Sequence, residues 1–167
     1  SLQRAPHGAG PVKSFEKLFA EQEKNLHYLG GAEAHLAAQI RALREELSKG
    51  GHKFASETDS EVIAHLITDY LDKGQKPEQA AISAVRRLEG AFGIAVLFAG
   101  DDNILVGARK GSPLAVGLGD GEMFLGSDAI ALSPFTQRVM FLDEGDIAVL
   151  SRTKVKVLDV HGQIAER

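Results

Sequence analysis

The first half of the chain repeats its apolar residues at helical spacing. Four amphipathic stretches follow one another between Ser14 and Gly90, and glycines at 30–31, 50–51 and 74 separate them. In each stretch apolar residues recur every three or four positions, which is the spacing of one helix face. The four faces comprise Phe15, Leu18, Phe19 and Leu26; Leu36, Ile40, Leu43 and Leu47; Val62, Ile63, Leu66, Ile67 and Tyr70; and Ala80, Ala81, Ala84, Val85 and Leu88. The pattern predicts four helices, with one short strand at 52–56 between the second and the third.

After Gly90 the pattern changes to the spacing of strands. The segment 91–100 is a nearly continuous apolar run, which is typical of a strand buried on both faces. An acidic turn at 101–103 and a strand at 104–110 complete a predicted hairpin. Five further short strands are predicted at 114–119, 122–127, 138–143, 146–151 and 154–160. Helices followed by an antiparallel sheet indicate an α+β fold.

Length, charge and cysteine content narrow the classes of function. The 167 residues suffice for one domain with its own hydrophobic core. The net charge of −4 argues against nucleic acid or an anionic membrane as a partner, because both require a basic face. No apolar run has the length of a membrane span, and without cysteine the chain forms no disulfide, thiolate metal site or cysteine nucleophile. We therefore expect a cytoplasmic protein.

Few other polar residues suggest chemistry by themselves. His35, His52 and His65 are isolated from one another in the pattern, so no metal site is expected. The glycines at 117–121 lie between predicted strands and are better explained as tight turns than as a phosphate-binding loop. The acidic pairs at 101–102 and 143–144 are likewise interpreted as turns.

Three stretches, in this order, carry a family resemblance. The first is LREELSKGGHKFASETDSEVIAHL at 43–66, and the second is RRLEGAFGIAVLF at 86–98. The third runs over 108–150 and contains Gly-Ser-Pro-Leu, Ser-Asp and Glu-Gly-Asp signatures. Together they resemble the glutaminase domain of the glutamine:fructose-6-phosphate amidotransferases, also called glucosamine-6-phosphate synthases. The resemblance covers residues 43 to about 160.

The resemblance implies the fold of the N-terminal-nucleophile hydrolases, in which two antiparallel sheets lie between layers of helices. In this family a cysteine at the mature N-terminus attacks the side-chain amide of glutamine, and its own α-amino group acts as the base. An Asn-Gly pair stabilises the oxyanion. The released ammonia passes to a separate domain that converts fructose-6-phosphate to glucosamine-6-phosphate.

Most of the family's catalytic residues have no counterpart in this chain. It contains no Cys and no Trp, so both the nucleophile and the Arg-Trp-Ala-Thr-His-Gly motif that binds the glutamine carboxylate are missing. We therefore expect residues 1–40 to be a segment outside the family. Residues 41–167 are expected to be the C-terminal part of a glutaminase domain, a partial hydrolase sandwich without catalytic residues, metal or cofactor.

Asp59 is the one functional position that the resemblance retains. In Ser-Glu-Thr-Asp it matches the carboxylate that binds the α-amino group of glutamine in the family. At the start of an apolar helix it is also a natural N-cap, which contributes about 1 kcal/mol, and one carboxylate can serve in both roles.

These expectations lead to two hypotheses about function. The first is part of a glutamine-hydrolysing domain, inactive as it stands. The alternative is a non-catalytic module on the same fold that binds glutamine or another protein. A sheet that lacks strands exposes open edges and apolar surface, so we expect cover from helices within residues 1–40 or from a second chain, including a second copy.

Overall fold

Three helices precede the strands. The computed structural model describes the backbone of residues 32–167 and the side chains of residues 37–101 and 103–167. Helices α1 (Ala32–Lys49), α2 (Asp59–Asp72) and α3 (Pro77–Val85) match the last three predicted helices. The first predicted helix lies outside the described residues, and the proposed segment boundary at residue 40 falls inside α1. No helix in the described part of the chain is long and apolar enough to cross a membrane.

Eight strands and one short helix follow. The strands are β1 (Phe92–Phe98), β2 (Asp101–Lys110), β3 (Ala115–Leu118), β4 (Met123–Gly126), β5 (Val139–Phe141), β6 (Ile147–Leu150), β7 (Val155–Leu158) and β8 (Ile164–Ala165). Helix α4 (Ala129–Leu132) lies between β4 and β5. Each strand predicted after Gly90 is present, whereas β8 and α4 were not predicted. Helices followed by antiparallel strands confirm the α+β prediction.

The strands form two antiparallel sheets. The larger sheet has the order β1-β2-β6-β7-β8, and the smaller one has the order β4-β3-β5. Val106 of β2 pairs with Val96 of β1 on one side and with Val149 of β6 on the other. The three inner strands of the larger sheet, β2, β6 and β7, are each hydrogen-bonded along both edges.

The larger sheet is buried on both faces. Ile104 and Val106 belong to the hydrophobic core under the three helices, whereas the intervening Leu105 belongs to a second core. On β6, Ile147 packs toward the helices and Leu150 toward the second core. The second core also contains the smaller sheet's Val116 and Leu125, at positions that face β2 and β6. The described layers are thus helices, larger sheet and smaller sheet, consistent with a partial hydrolase sandwich.

Two polar side chains of α1 bind the segment that follows α3. Gln39 donates its side-chain N–H to the carbonyl of Arg87 at 2.7 Å and accepts from the backbone N–H of Glu89 at 2.7 Å. The guanidinium of Arg87 in turn donates two hydrogen bonds to Glu46, at 3.0 and 2.6 Å. This pairing lowers the pKa of Glu46. The contacts fix α1 against the chain that enters β1.

Two local predictions were wrong. Residues 52–56 form no strand: the N–H groups of Ala55 and Ser56 bond to the side chain of Glu61 rather than to a neighbouring strand. The hairpin between β1 and β2 turns at 99–100, where Gly100 has a φ of 83°, and Asp101 already belongs to β2. A positive φ is readily adopted only by glycine, so Gly100 rather than the acidic residues determines where the chain turns.

Exposed apolar side chains mark several sheet edges, as expected for a sheet that lacks strands. Within the described residues, Leu97 on the edge strand β1 is 60% exposed and Phe141 on the edge strand β5 is 61% exposed. Ile164 on β8 is also exposed. The expected cover by residues 1–40 concerns a segment that lies mostly outside the described residues.

One buried charge fixes the end of the second core. Asp146, before β6, is 1% exposed and accepts two hydrogen bonds from the guanidinium of Arg167, at 2.7 and 2.8 Å. Its carboxylate also accepts from the backbone N–H of Asp143 at 2.8 Å. The pKa of Arg167 is raised, chiefly by this bond to Asp146. Because a buried carboxylate requires compensation, the pair fastens residue 167 onto β6.

We predict that Arg167→Ala lowers the unfolding free energy clearly more than a control substitution does, because it leaves the buried carboxylate of Asp146 without its cation. Urea unfolding followed by circular dichroism measures the change. Arg152→Ala is the matched control, since Arg152 is exposed and its loss should alter the unfolding free energy by less than about 0.5 kcal/mol. Equal values for the two variants would contradict the assigned role of the Asp146–Arg167 pair.

Candidate functional site

Asp59 lies exposed at the first position of α2. The residue before it, Thr58, has an extended backbone with φ −78° and ψ 146°, and its hydroxyl accepts from the N–H of Glu61 at 3.4 Å. Thr58 is therefore the N-cap, and the interpretation of Asp59 as the cap was wrong. The Asp59 carboxylate has no hydrogen bond or ion pair to any other described residue and faces solvent. Its role as a ligand-binding carboxylate remains a prediction.

Glu61 fixes the turn that leads to Asp59. Its carboxylate accepts from the backbone N–H of Ala55, from the backbone N–H of Ser56 and from the Ser56 hydroxyl, each at 2.7 Å. These bonds replace the strand pairing that was expected at 52–56. They lower the pKa of Glu61 from 4.5 to about 2, with the Ala55 N–H as the largest cause. Glu61 is therefore ionised at neutral pH, and its charge stabilises the turn.

Arg44 of α1 supports the same turn from the other side. Its guanidinium donates to the carbonyl of Ser56 at 2.5 Å and lies over the ring of Phe54, 4.4 Å from the ring centroid. Phe54 in turn contacts the ring of His65 edge-on, with 4.5 Å between centroids. The segment 52–58 is thus held between α1 and α2 by side chains from both helices.

Two histidines that were predicted to be isolated contact each other. The Nδ1 atoms of His52 and His65 are 3.0 Å apart, with the rings inclined at 80°. They are 13 residues apart in the sequence, and they meet because the segment before α2 lies beside that helix. The side chain of His35, the third of these histidines, lies outside the described residues. Within the described residues no group of three or more His, Asp or Glu side chains is arranged to hold a metal ion.

The glycine-rich loop and the acidic pair at 143–144 serve the fold. Gly119 donates to the carbonyl of Glu122 at 3.0 Å and Gly121 has a φ of 73°, which confirms a tight turn between β3 and β4. Gly117 is instead a buried residue within β3. Glu144 lies in a turn as predicted, and it accepts from the N–H of Gly111 at 2.8 Å.

The Ser-Asp signature is a helix cap. Asp128 accepts from the N–H of Ala131 at 2.8 Å at the start of α4. This bond is the largest cause of the lowered pKa of Asp128. The carboxylate stabilises the first turn of a short helix, which accounts for its position without a ligand.

A cavity of about 240 Å³ lies among the strands, lined by residues at or near the ends of β1, β2, β4 and β6. Its polar lining comes from Asn103, Glu122, Ser151 and Arg152, and its apolar lining includes the exposed Leu97. The segment 52–61 contributes no residue to it. Asp59 and this cavity are therefore separate features of the surface.

Comparisons with known proteins agree with the resemblance. A family profile described as a glutamine amidotransferase domain matches residues 36–134. Glutamine–fructose-6-phosphate aminotransferase (isomerizing) of Mesorhizobium japonicum is 56% identical over 125 residues, covering 75% of this chain and 21% of the relative. The protein of the same name from Bradyrhizobium diazoefficiens is 50% identical over 128 residues, covering 77% and 21%.

A third relative extends further toward the N-terminus. The protein of the same name from Zymomonas mobilis is 49% identical over 163 residues, covering 98% of this chain and 26% of the relative. The chain thus spans between a fifth and about a quarter of the length of these curated relatives. The Zymomonas alignment takes in most of residues 1–40, while their assignment to a segment outside the family stays a prediction.

The sequence analysis missed the residues that build the turn. Thr58 and Glu61 have the spacing of a capping box, in which the fourth residue reaches back to free backbone N–H groups. That signal was available, and it would have assigned the cap to Thr58. The contacts of Arg44 and of the histidine pair carry no such local signal, because each joins residues 12 or 13 positions apart.

We predict that Glu61→Gln lowers stability at neutral pH, and that its deficit relative to the wild type shrinks in acid. A carboxylate with a lowered folded-state pKa stabilises the fold above its unfolded value near 4.5 and loses that contribution as the pH falls toward about 2. Urea midpoints of the two proteins between pH 7 and pH 2 measure the difference.

Glu57→Gln is the control for this titration, because the Glu57 side chain is 98% exposed in the same turn. At pH 7 its deficit relative to the wild type should be much smaller than that of Glu61→Gln. A deficit of Glu61→Gln that is as large at pH 3 as at pH 7 would refute the assigned charge state.

Proposed function

Since the chain belongs to the glutamine amidotransferase domain family, we propose that it is part of the glutamine-hydrolysing domain of an isomerizing glutamine–fructose-6-phosphate aminotransferase. In the whole protein, the amide nitrogen of glutamine would be transferred to fructose-6-phosphate. Residues 32–167 would contribute the scaffold of that domain and one contact with glutamine, from Asp59. The proposal keeps the cytoplasmic location that we expect from the sequence.

The observation that carries the proposal is the exposed Asp59 carboxylate on an immobilised turn. Free glutamine presents a cationic α-amino group, and a carboxylate is the natural partner for it. The neighbouring Glu61 is occupied by three donors, so it is a poor candidate for a ligand contact. Asp59 has no partner among the described residues, and it is therefore available to a ligand.

The chemistry of amide hydrolysis requires groups that this chain does not contain. It has no cysteine thiol to attack the amide carbonyl, and Asp59 would bind the α-amino end of glutamine rather than the amide. Oxyanion donors and a nucleophile supply most of the rate enhancement in such reactions. We therefore expect the 167-residue chain to bind without hydrolysing.

A second function, an interaction module, is favoured by the exposed apolar side chains on the edge strands. Leu97 and Phe141 lie on strands with one unpaired edge among the described residues. An added strand from another chain or a second copy would pair with such an edge and cover these side chains. This function is compatible with glutamine binding, because Asp59 lies in the helical layer rather than on a strand.

We predict that Asp59→Ala weakens glutamine binding by about tenfold or more, since a charge-assisted contact contributes about 1.5 to 3 kcal/mol. Isothermal titration calorimetry measures the affinity, and an ammonia-release assay on the same samples should give no signal. Asp59→Asn should also weaken binding, because the amide keeps the shape but loses the charge.

Asp72→Ala is the matched control, because it removes an exposed carboxylate at the other end of α2. It should bind glutamine like the wild type. Equal affinity of Asp59→Ala and the wild type would refute the role of Asp59. An absence of heat with the wild type would show that this chain does not bind glutamine on its own, and ammonia release would contradict the expected inactivity.

A further inference from the structure

The segment that precedes Asp59 is fixed at alternate residues. His52 contacts His65, Phe54 packs between Arg44 and His65, and Ser56 accepts from Arg44 and donates to Glu61. The segment pairs with no strand and the chain bends at 55–57, so side chains of α1 and α2 hold it in place rather than a backbone ladder.

The His52–His65 pair forms the first of these anchors. The backbone N–H of His52 donates to Leu47 at the end of α1, and Gly51 turns the chain there with a φ of 97°. Two helices therefore define where the His52 ring lies. The side chains of His52 and His65 are only 13% and 25% exposed, so the contact at 3.0 Å is largely shielded from competing water.

The chemistry of the pair defines how it holds together. With Nδ1 facing Nδ1, one ring must donate its N–H and the other must accept it. The outer nitrogens face carboxylates, with His52 Nε2 3.9 Å from Asp69 and His65 Nε2 3.7 Å from Glu61. Asp69 is also bound by Lys73 at 2.6 Å. The pair thus lies between two carboxylates of α2, at distances longer than a hydrogen bond, and one of them belongs to the residue that fixes the turn.

We propose that the His52–His65 pair positions the Asp59 carboxylate for glutamine, acting through the turn at 52–58 rather than by touching the ligand. The inference rests on the proposed function of Asp59. The pair clamps the start of the segment onto α2, and the Glu61 bonds clamp its end. When the contact between the histidines is broken, the hydrogen bonds from the N–H groups of Ala55 and Ser56 to Glu61 open more often. The backbone before Asp59 is then less well fixed.

The atoms involved allow a sharp choice of variants at residue 65. The side-chain amide of Asn places a donor and an acceptor near the position of Nδ1, whereas that of Gln reaches the position of Nε2. His65→Asn should therefore retain the contact with His52. His65→Gln keeps a polar amide at the wrong depth, and His65→Leu keeps bulk against Phe54 without any hydrogen bond.

The first measurement is amide hydrogen exchange at Ala55 and Ser56 by nuclear magnetic resonance at neutral pH. We expect His65→Gln and His65→Leu to exchange about fivefold faster than the wild type, and His65→Asn to exchange at the wild-type rate. His161→Leu, which removes an exposed histidine beyond β7, is the control and should leave both rates unchanged. A cooperative thermal transition checks that each variant is folded.

The second measurement is the glutamine affinity of the same variants by calorimetry. The Gln and Leu variants should bind about fivefold more weakly, and the Asn variant should bind like the wild type. Wild-type exchange rates in the Leu variant, or failure of Asn to restore the rates, would overturn the proposal. A wild type that does not bind glutamine but shows the expected exchange pattern would refute the function of Asp59 and leave the clamp itself supported.

Discussion

The structure depends on one sheet that must be covered on both faces. Apolar side chains of β2 and β6 lie on both faces of the larger sheet, with Val106 under the helices and Leu150 toward the smaller sheet. Burial of such side chains stabilises the fold by about 25 cal/mol for each Å² of apolar surface removed from water. Neither cover is therefore optional. The order of helices, larger sheet and smaller sheet follows from this requirement. Asp146 is the one buried charged residue among the described residues, and Arg167 neutralises its charge.

The helical cover also carries the candidate site. Helices α1 and α2 bury their apolar faces in the core that they share with α3 and the sheet, with α3 in contact with β2, and their polar faces remain available for other contacts. Arg44 and Glu61 use those faces to bind the segment 52–58 from two sides. No strand pairing holds this segment, so its conformation depends on one backbone bond, from His52 to Leu47, and on a few side chains. A site built in this way can be altered by single substitutions that leave the sheet intact.

Much of this fold follows from patterns along the chain. Helical spacing located α1, α2 and α3, and short apolar segments bounded by turn residues located the strands from β1 to β7, because both patterns reflect burial. The short elements α4 and β8 bury too little for such a signal. The segment 52–56 has the composition of a strand, yet its N–H groups bond to Glu61. Asp59 was found only through a resemblance, since a lone exposed carboxylate has no pattern of its own. The contact of His52 with His65 depends on how α1 and α2 pack, which no local pattern encodes.

Two carboxylates in one turn show how environment separates their roles. Glu61 accepts three hydrogen bonds, which lower its pKa to about 2 and leave it little capacity for a ligand. Asp59, two positions earlier, accepts none from the described residues because Thr58 provides the cap. Had Asp59 been the cap, its charge would have been spent on the N–H groups of α2. The presence of Thr58 at the cap position therefore frees Asp59, and the ionised Glu61 keeps the turn in place beneath it. Recognition of an amino group requires both conditions, an available charge and a fixed backbone, and the Ser-Glu-Thr-Asp-Ser-Glu sequence supplies them within six residues.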